Sequence, residues 1–209
     1  MAQIVNPEIE DYLRKLYDDG DPVRHEMEDL ARKKGFPIVG PLVGRMLVVL
    51  ARAIGAKRVF ELGSGYGYSA LFFAKAVGVD GIVHCTDTSE ENVRLAEGFL
   101  TRAGLISRVT YHREEATAAL RRLGGTWDVV YNDIDKDGYP ATVELAYERL
   151  RPGGLFITDN VLWSGRVLQP DDAASTRGVV EFTRRLLAHP GFVTTINPTR
   201  DGVAVALRV

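Results

Sequence analysis

The residues in this chain whose types and spacing could do chemistry begin with a carboxylate set two places ahead of a glycine-rich turn. Glu61-Leu-Gly-Ser-Gly-Tyr-Gly67 follows an apolar run that starts at Arg58. Glycines let a turn close sharply and let a ligand approach the backbone with no Cβ in the way. Gly63, Ser64 and Gly65 are therefore candidate cofactor contacts. The dinucleotide fingerprint is G-x-G-x-x-G, with a pyrophosphate at the following helix N-terminus. Here the third glycine comes one residue early, and Glu61 would repel a pyrophosphate. The same carboxylate could orient the ammonium-bearing end of S-adenosylmethionine (SAM). Asp87 stands 20 residues after Gly67, at the end of the next apolar run. An acid at that place can accept both hydroxyls of a ribose. NAD carries such a ribose too, so a NAD(P)-binding oxidoreductase stays open at this point, although no Tyr-x-x-x-Lys pair accompanies the loop.

A second acidic group lies downstream, in Asp133-Ile-Asp-Lys-Asp-Gly138. With Glu144 it matches the EF-hand calcium loop, in which alternate acids and a final Glu wrap one ion. An EF-hand loop follows a helix, whereas Trp127–Asn132 is β-branched, aromatic and strand-like, so the match is expected to be accidental. Asp159-Asn160 ends the next apolar run. If those two runs are neighbouring strands, Asp133, Asp159 and Asn160 share one sheet edge beside the glycine loop. Two carboxylates and an amide oxygen are a hard, oxygen-only donor set suited to Mg²⁺. Lys136 is the nearby candidate for a general base, and Asp135 stands behind the ligands rather than among them. A noncatalytic SAM- or calcium-binding module is the remaining alternative.

These residues need a scaffold, and the pattern supplies one. Residues 7–18, 22–34 and 41–54 read as helices that open at or near a proline, which suits a first turn. From residue 57 short apolar runs alternate with helical patterns. Strands are expected at 58–62, 82–86, 109–112, 127–132 and 155–158, with helices at 67–77, 89–104, 115–123, 138–150 and 176–189. Two final strands, 192–197 and 203–209, meet at a tight turn around Arg200-Asp201-Gly202. Alternating β and α units imply a parallel sheet covered on both faces. The expected class is α/β: a Rossmann-like class I methyltransferase fold with a mostly parallel seven-stranded sheet and a C-terminal antiparallel hairpin.

With 209 residues, 45% of them hydrophobic, one core and one domain over 1–209 are expected, with N-terminal helices at 1–55 and a Rossmann-like core at 56–209. A formal net charge of −2 gives no reason to expect nucleic acid as a partner. The longest apolar stretch, Met46 to Ala51, is too short to cross a membrane. The opening residues carry neither a basic nor an apolar leader region, and a single cysteine, Cys85, suits a reducing compartment. A cytoplasmic protein is the expectation. The four histidines are scattered without metal-ligand spacing, and Val161–Ser175 reads as a flap over the site, with Trp163 inside it.

Taken together, the chain resembles the cation-dependent O-methyltransferases that include the catechol and caffeoyl-CoA enzymes. The resemblance runs from about Gly35 to the C-terminus. It rests on Gly35-Phe-Pro-Ile-Val-Gly-Pro41, Val59-Phe-Glu-Leu-Gly-Ser-Gly-Tyr-Gly-Tyr-Ser69, Asp133-Ile-Asp-Lys136 and Asp159-Asn-Val-Leu-Trp-Ser-Gly165. It implies SAM contacts at Glu61, Gly63, Ser69 and Asp87, and cation ligands at Asp133, Asp159 and Asn160. It also implies Lys136 as base, a catechol-like small-molecule acceptor and a homodimer. The family's small Gly-x-Ala segment aligns with Glu114-Glu115-Ala116, which leaves Glu115 and Ala116 as adenine contacts and breaks the pattern at Glu114.

Overall fold

The structure is a computed structural model that describes residues 5–209; the first four residues of the N-terminal stretch read for a leader lie outside it. Three helices come first: α1 (Pro7–Leu16), α2 (Pro22–Lys34) and α3 (Gly40–Ala53). Asn6 and Asp21 cap the first two through side-chain oxygens, each just ahead of the proline that opens the helix. Strands and helices then alternate: β1 (Arg58–Leu62), α4 (Tyr68–Ala76), β2 (Ile82–Thr86), α5 (Glu90–Arg102), β3 (Val109–His112), α6 (Ala116–Arg122), β4 (Trp127–Asn132), α7 (Tyr139–Arg149), β5 (Leu150–Thr158), α8 (Ala174–Ala188), β6 (Phe192–Asn197) and β7 (Val203–Arg208).

The seven strands are ordered β3-β2-β1-β4-β5-β7-β6. The first five run parallel, and β7 is antiparallel to both of its neighbours. The hairpin therefore joins the sheet through its second strand, which leaves β6 at the edge. Strand β5 also begins five residues earlier than expected, because the Leu150-Arg-Pro-Gly-Gly stretch is extended and not a loop.

Residues of one strand alternate between two cores. Val59, Val129, Tyr131 and Ile157 face the layer of α2 to α5, with Met27, Leu47, Leu71 and Phe73. Phe60, Leu62, Val130 and Phe156 face the layer of α6 to α8, with Tyr139, Val179 and Phe182. Burying one such side chain contributes about 2 kcal/mol. Helix α1 stands apart from both layers. It buries no residue, and Ile9, Tyr12 and Leu16 are more than half exposed. Among the described residues no helix is long and apolar enough to cross a membrane.

The position of β1 matters most for chemistry. The chain moves outward from β1 through β2 to β3, then returns to place β4 on the other side of β1. The loops leaving β1 and β4 diverge at that reversal, and the crevice at the carboxyl ends of such strands is where α/β sheets take ligands.

Candidate active site

A cavity of about 1000 Å³ opens at that crevice. On its wall are Gly63, Ser64, Gly65, Ser69, Asp87, Glu115, Ala116, Asp133, Lys136, Asp159 and Asn160. Glu61 is the one expected cofactor residue that the structure sets behind the wall.

The alternation of β1 explains this. Glu61 points to the same side as Val59, beneath α4, and is fully buried. Its carboxyl accepts hydrogen bonds from the Ser69 hydroxyl and, at 3.4 Å, from the Cys85 thiol. Burial raises its pKa from 4.5 to about 7, against the lowering effect of the hydroxyl and thiol donors. The structure thus turns the Glu61 carboxyl to Ser69, and Ser69 faces the cavity.

The glycine loop is tied down from the neighbouring strand. Gly63 N donates to Thr86 Oγ1 at 3.1 Å and Ser64 N to the Thr86 carbonyl at 2.8 Å, while Thr86 Oγ1 donates to the Glu61 carbonyl at 2.9 Å. Gly63 has φ +79°, and a Cβ there would lie 2.8 Å from the Asp133 carbonyl oxygen. Only glycine lets the loop leaving β1 pass so close to the one leaving β4.

Across the loop, Asp87 is oriented by the start of α5. Its carboxylate accepts from Ser89 N at 2.7 Å and from the Asn92 amide at 3.3 Å. Glu114, which breaks the family's small-residue pattern, and its neighbour Glu115 are both held by protein partners. Glu114 pairs with Arg122, and Glu115 caps α6 by accepting from Thr117 N at 2.8 Å and Ala118 N at 2.7 Å.

On the other side of β1, strands β4 and β5 pair with Asn132 opposite Thr158. Asp133 and Asp159 therefore leave adjacent strand ends at the same level, as expected if the strands were neighbours. Asp133 N donates to the Leu62 carbonyl at 2.9 Å, and Asp159 N to the Asn132 carbonyl at 3.2 Å. The Tyr139 hydroxyl, buried at the start of α7, donates to the Asp159 carbonyl at 2.9 Å. Asp159 is 2% exposed and its Oδ1 has no hydrogen-bond partner. Burial and the facing Asp133 carboxylate push its pKa up to about 7, and burial raises that of Asp133 as well. Asn160 follows in the left-handed region, φ 57°.

Lys136 lies in a short 3-10 turn, Lys136–Gly138, between β4 and α7. Its Nζ donates to Asp133 Oδ1 at 2.8 Å and sits 4.9 Å from the centre of the Tyr139 ring. Its acidic partner is thus neither Asp135 nor Asp137. The EF-hand resemblance dissolves in the same region. Asp133 ends a strand, and Glu144 lies on α7 beside His189 at 3.3 Å. Among the described residues no three His, Cys, Asp or Glu side chains cluster in a way that could hold a metal.

Two further elements, one of them from the Gly35–Pro41 motif, complete the wall. The Phe36–Val39 segment before α3 and Arg200 from the β6–β7 turn both reach the cavity. Trp163 lies on the wall as well, but the start of its segment is not a free flap. Val161 N and Leu162 N donate to the Gly202 and Asp201 carbonyls at 3.0 and 2.9 Å, and Ser164 N donates to the Asp201 carboxylate. His84 and His112, scattered in sequence, meet on adjacent strands with Nδ1 and Nε2 2.8 Å apart and lie off the cavity wall.

Comparison with known proteins agrees with this geometry. Residues 25–209 match the family described as O-methyltransferase. A caffeoyl-CoA O-methyltransferase of Populus trichocarpa is 31% identical over 79% of this chain and 72% of its own length. A catechol O-methyltransferase of Niastella koreensis is 32% identical over 81% of each chain. The solved O-methyltransferase of Bacillus cereus, in complex with SAH, superimposes with a TM-score of 0.86 at 25% identity, covering 97% of both chains. This chain belongs to the O-methyltransferase family and has the class I methyltransferase fold.

Proposed function

We propose that the chain transfers the methyl group of SAM to one hydroxyl of a catechol-like small molecule, with a divalent cation such as Mg²⁺ held by Asp133, Asp159 and Asn160. The observation that carries this reading is the Asp133 carboxylate facing the buried Asp159 beside Lys136, in one cavity with the glycine loop. Asp133 raises the pKa of Asp159, whose Oδ1 is unpartnered, and such a pair fits a dication that would leave both carboxylates ionised. The donors are all oxygen, as Mg²⁺ prefers. The names of the caffeoyl-CoA and catechol relatives support an acceptor with adjacent hydroxyls. Family membership decides against the dinucleotide-dependent oxidoreductase.

When bound, the cation supplies positive charge that lowers the pKa of a neighbouring hydroxyl. The chain's own residues supply position and proton transfer. Gly63, Ser64 and Gly65 give the cofactor backbone access, Ser69 presents a hydroxyl fixed by Glu61, and Asp87 accepts the ribose hydroxyls. Glu115 and Ala116 border the adenine. Lys136 Nζ, released from Asp133 and having given up its own proton to solvent, accepts the acceptor's proton as the neutral amine. Holding nucleophile and methyl donor in line is the largest available source of rate. A homodimer and a cytoplasmic location belong to the same reading; the exposed Ile9, Tyr12 and Leu16 face of α1 and the single buried Cys85 are what support them.

The test is methyl transfer from SAM to a catechol panel with and without EDTA, repeated with Asp159→Ala. Activity should vanish on chelation, return with added Mg²⁺ and stay absent in the variant. Turnover that survives both treatments would refute the cation assignment.

A further inference from the structure

Two cations stand on the cavity wall, and they are bonded differently. Lys136 is paired with Asp133. Arg200 is paired with no carboxylate: among the described residues its one hydrogen bond runs from Nη1 to the Ile38 carbonyl, at 2.6 Å. Even Asp201, its chain neighbour, gives its carboxylate to Ser164 N instead. A guanidinium carries five donors in a planar fork that matches a carboxylate, and most of that fork is unused here. The fork is also held in place. Arg200 is half-buried, its backbone is one of four described non-glycine residues in the left-handed region, φ 52°, and Ile38 tethers its tip. A donor ordered before binding spends less of its interaction on ordering.

We propose that Arg200 is a specificity-determining residue that takes a carboxylate on the acceptor, so that the acceptor is a catechol bearing an acidic group. The inference rests on the catechol reading given above. The side of the site favours the acceptor over the methyl donor as source of the carboxylate. The glycine loop and Ser69 belong to β1 and α4, and Asp87 follows β2. Arg200 belongs to the β6–β7 turn, reached only by crossing β4 and β5, which carry Asp133 and Asp159. An acceptor with a cationic group is disfavoured: the wall acids left for it, Asp135 and Asp137, are exposed, where a solvated charge contributes little.

The experiment compares wild type, Arg200→Gln and Arg200→Lys with SAM and Mg²⁺, using 3,4-dihydroxybenzoate and its methyl ester as acceptors. Comparing the acid-to-ester ratio of kcat/KM between proteins cancels the intrinsic reactivity of the hydroxyls. Loss of a charge-assisted pair should lower the acid-to-ester ratio about tenfold or more in Arg200→Gln, through KM, with partial recovery in Arg200→Lys. S-adenosylhomocysteine binding, measured by calorimetry, should fall by less than this ratio. Equal losses on acid and ester would overturn the inference, as would a loss that tracks S-adenosylhomocysteine affinity. Either result leaves the catechol reading standing if the wild type methylates both compounds. A wild type that methylates neither would sink the reading and the inference together.

Discussion

Replacing Glu61 with Gln should change how the protein's stability depends on pH. The glutamate is fully buried, with the Ser69 hydroxyl and the Cys85 thiol as its partners. Its carboxyl titrates at about 7 in the fold against an ordinary 4.5. Between those values the folded chain keeps a proton that the unfolded chain has released. Stability from this group is fully present below pH 4.5 and is lost as pH rises through 7. At about 1.4 kcal/mol per pH unit, the loss is on the order of 3 kcal/mol. Glutamine has the same shape and does not titrate, so Glu61→Gln removes the loss and adds only a constant offset from its amide. Urea unfolding of both proteins, free of metal and SAM, at pH 5, 6, 7 and 8 isolates the effect. Groups common to both, including the half-buried His84–His112 pair, cancel in the difference except where they couple to residue 61. The variant should gain on the wild type by about 2.5 kcal/mol between pH 5 and pH 8. A difference that stays level across this range would refute the burial argument, because it would mean that Glu61 ionises in the fold as readily as in the open chain.

Two further outcomes follow from the site's geometry. Gly63→Ala should destabilise the protein by about 2 kcal/mol or more and weaken S-adenosylhomocysteine binding, since the new Cβ meets the Asp133 carbonyl at 2.8 Å with φ at +79°. A denaturant midpoint equal to wild type would contradict the close approach. Lys136→Ala should lower kcat by about 10²-fold or more while leaving S-adenosylhomocysteine affinity nearly intact, as expected for a group that moves a proton. Parallel losses of kcat and affinity in calorimetry and steady-state assays would make it a structural partner of Asp133 instead.

The site was legible in sequence wherever its chemistry follows local chain direction. A strand that ends in glycines, and acids at the ends of later strands, put their side chains at the carboxyl edge of a parallel sheet before any contact is known. That reasoning located Gly63, Asp87, Asp133, Asp159 and Asn160, which all line one cavity. It also located Lys136, though not its pairing with Asp133 in place of a neighbour in the run. Spacing gives distance along a strand and not the face to which a side chain alternates, so the bond between Glu61 and Ser69 is visible only in the fold.

What the sequence determined by itself is the alternation of β and α units, the polar strand ends and the glycines that let β1 turn, since each depends on contacts within a few residues. What only the tertiary structure decided depends on how distant segments meet. Strand β7 inserts beside β5, which brings Arg200 to the cavity from 41 residues beyond Asp159. The Phe36–Val39 segment closes the wall, and Asp201 anchors the loop after Asp159. The Gly35–Pro41 motif and the Arg200-Asp201-Gly202 turn are local, but where they meet the cavity is fixed by packing free energy shared across the whole sheet and not by the preferences of the residues concerned.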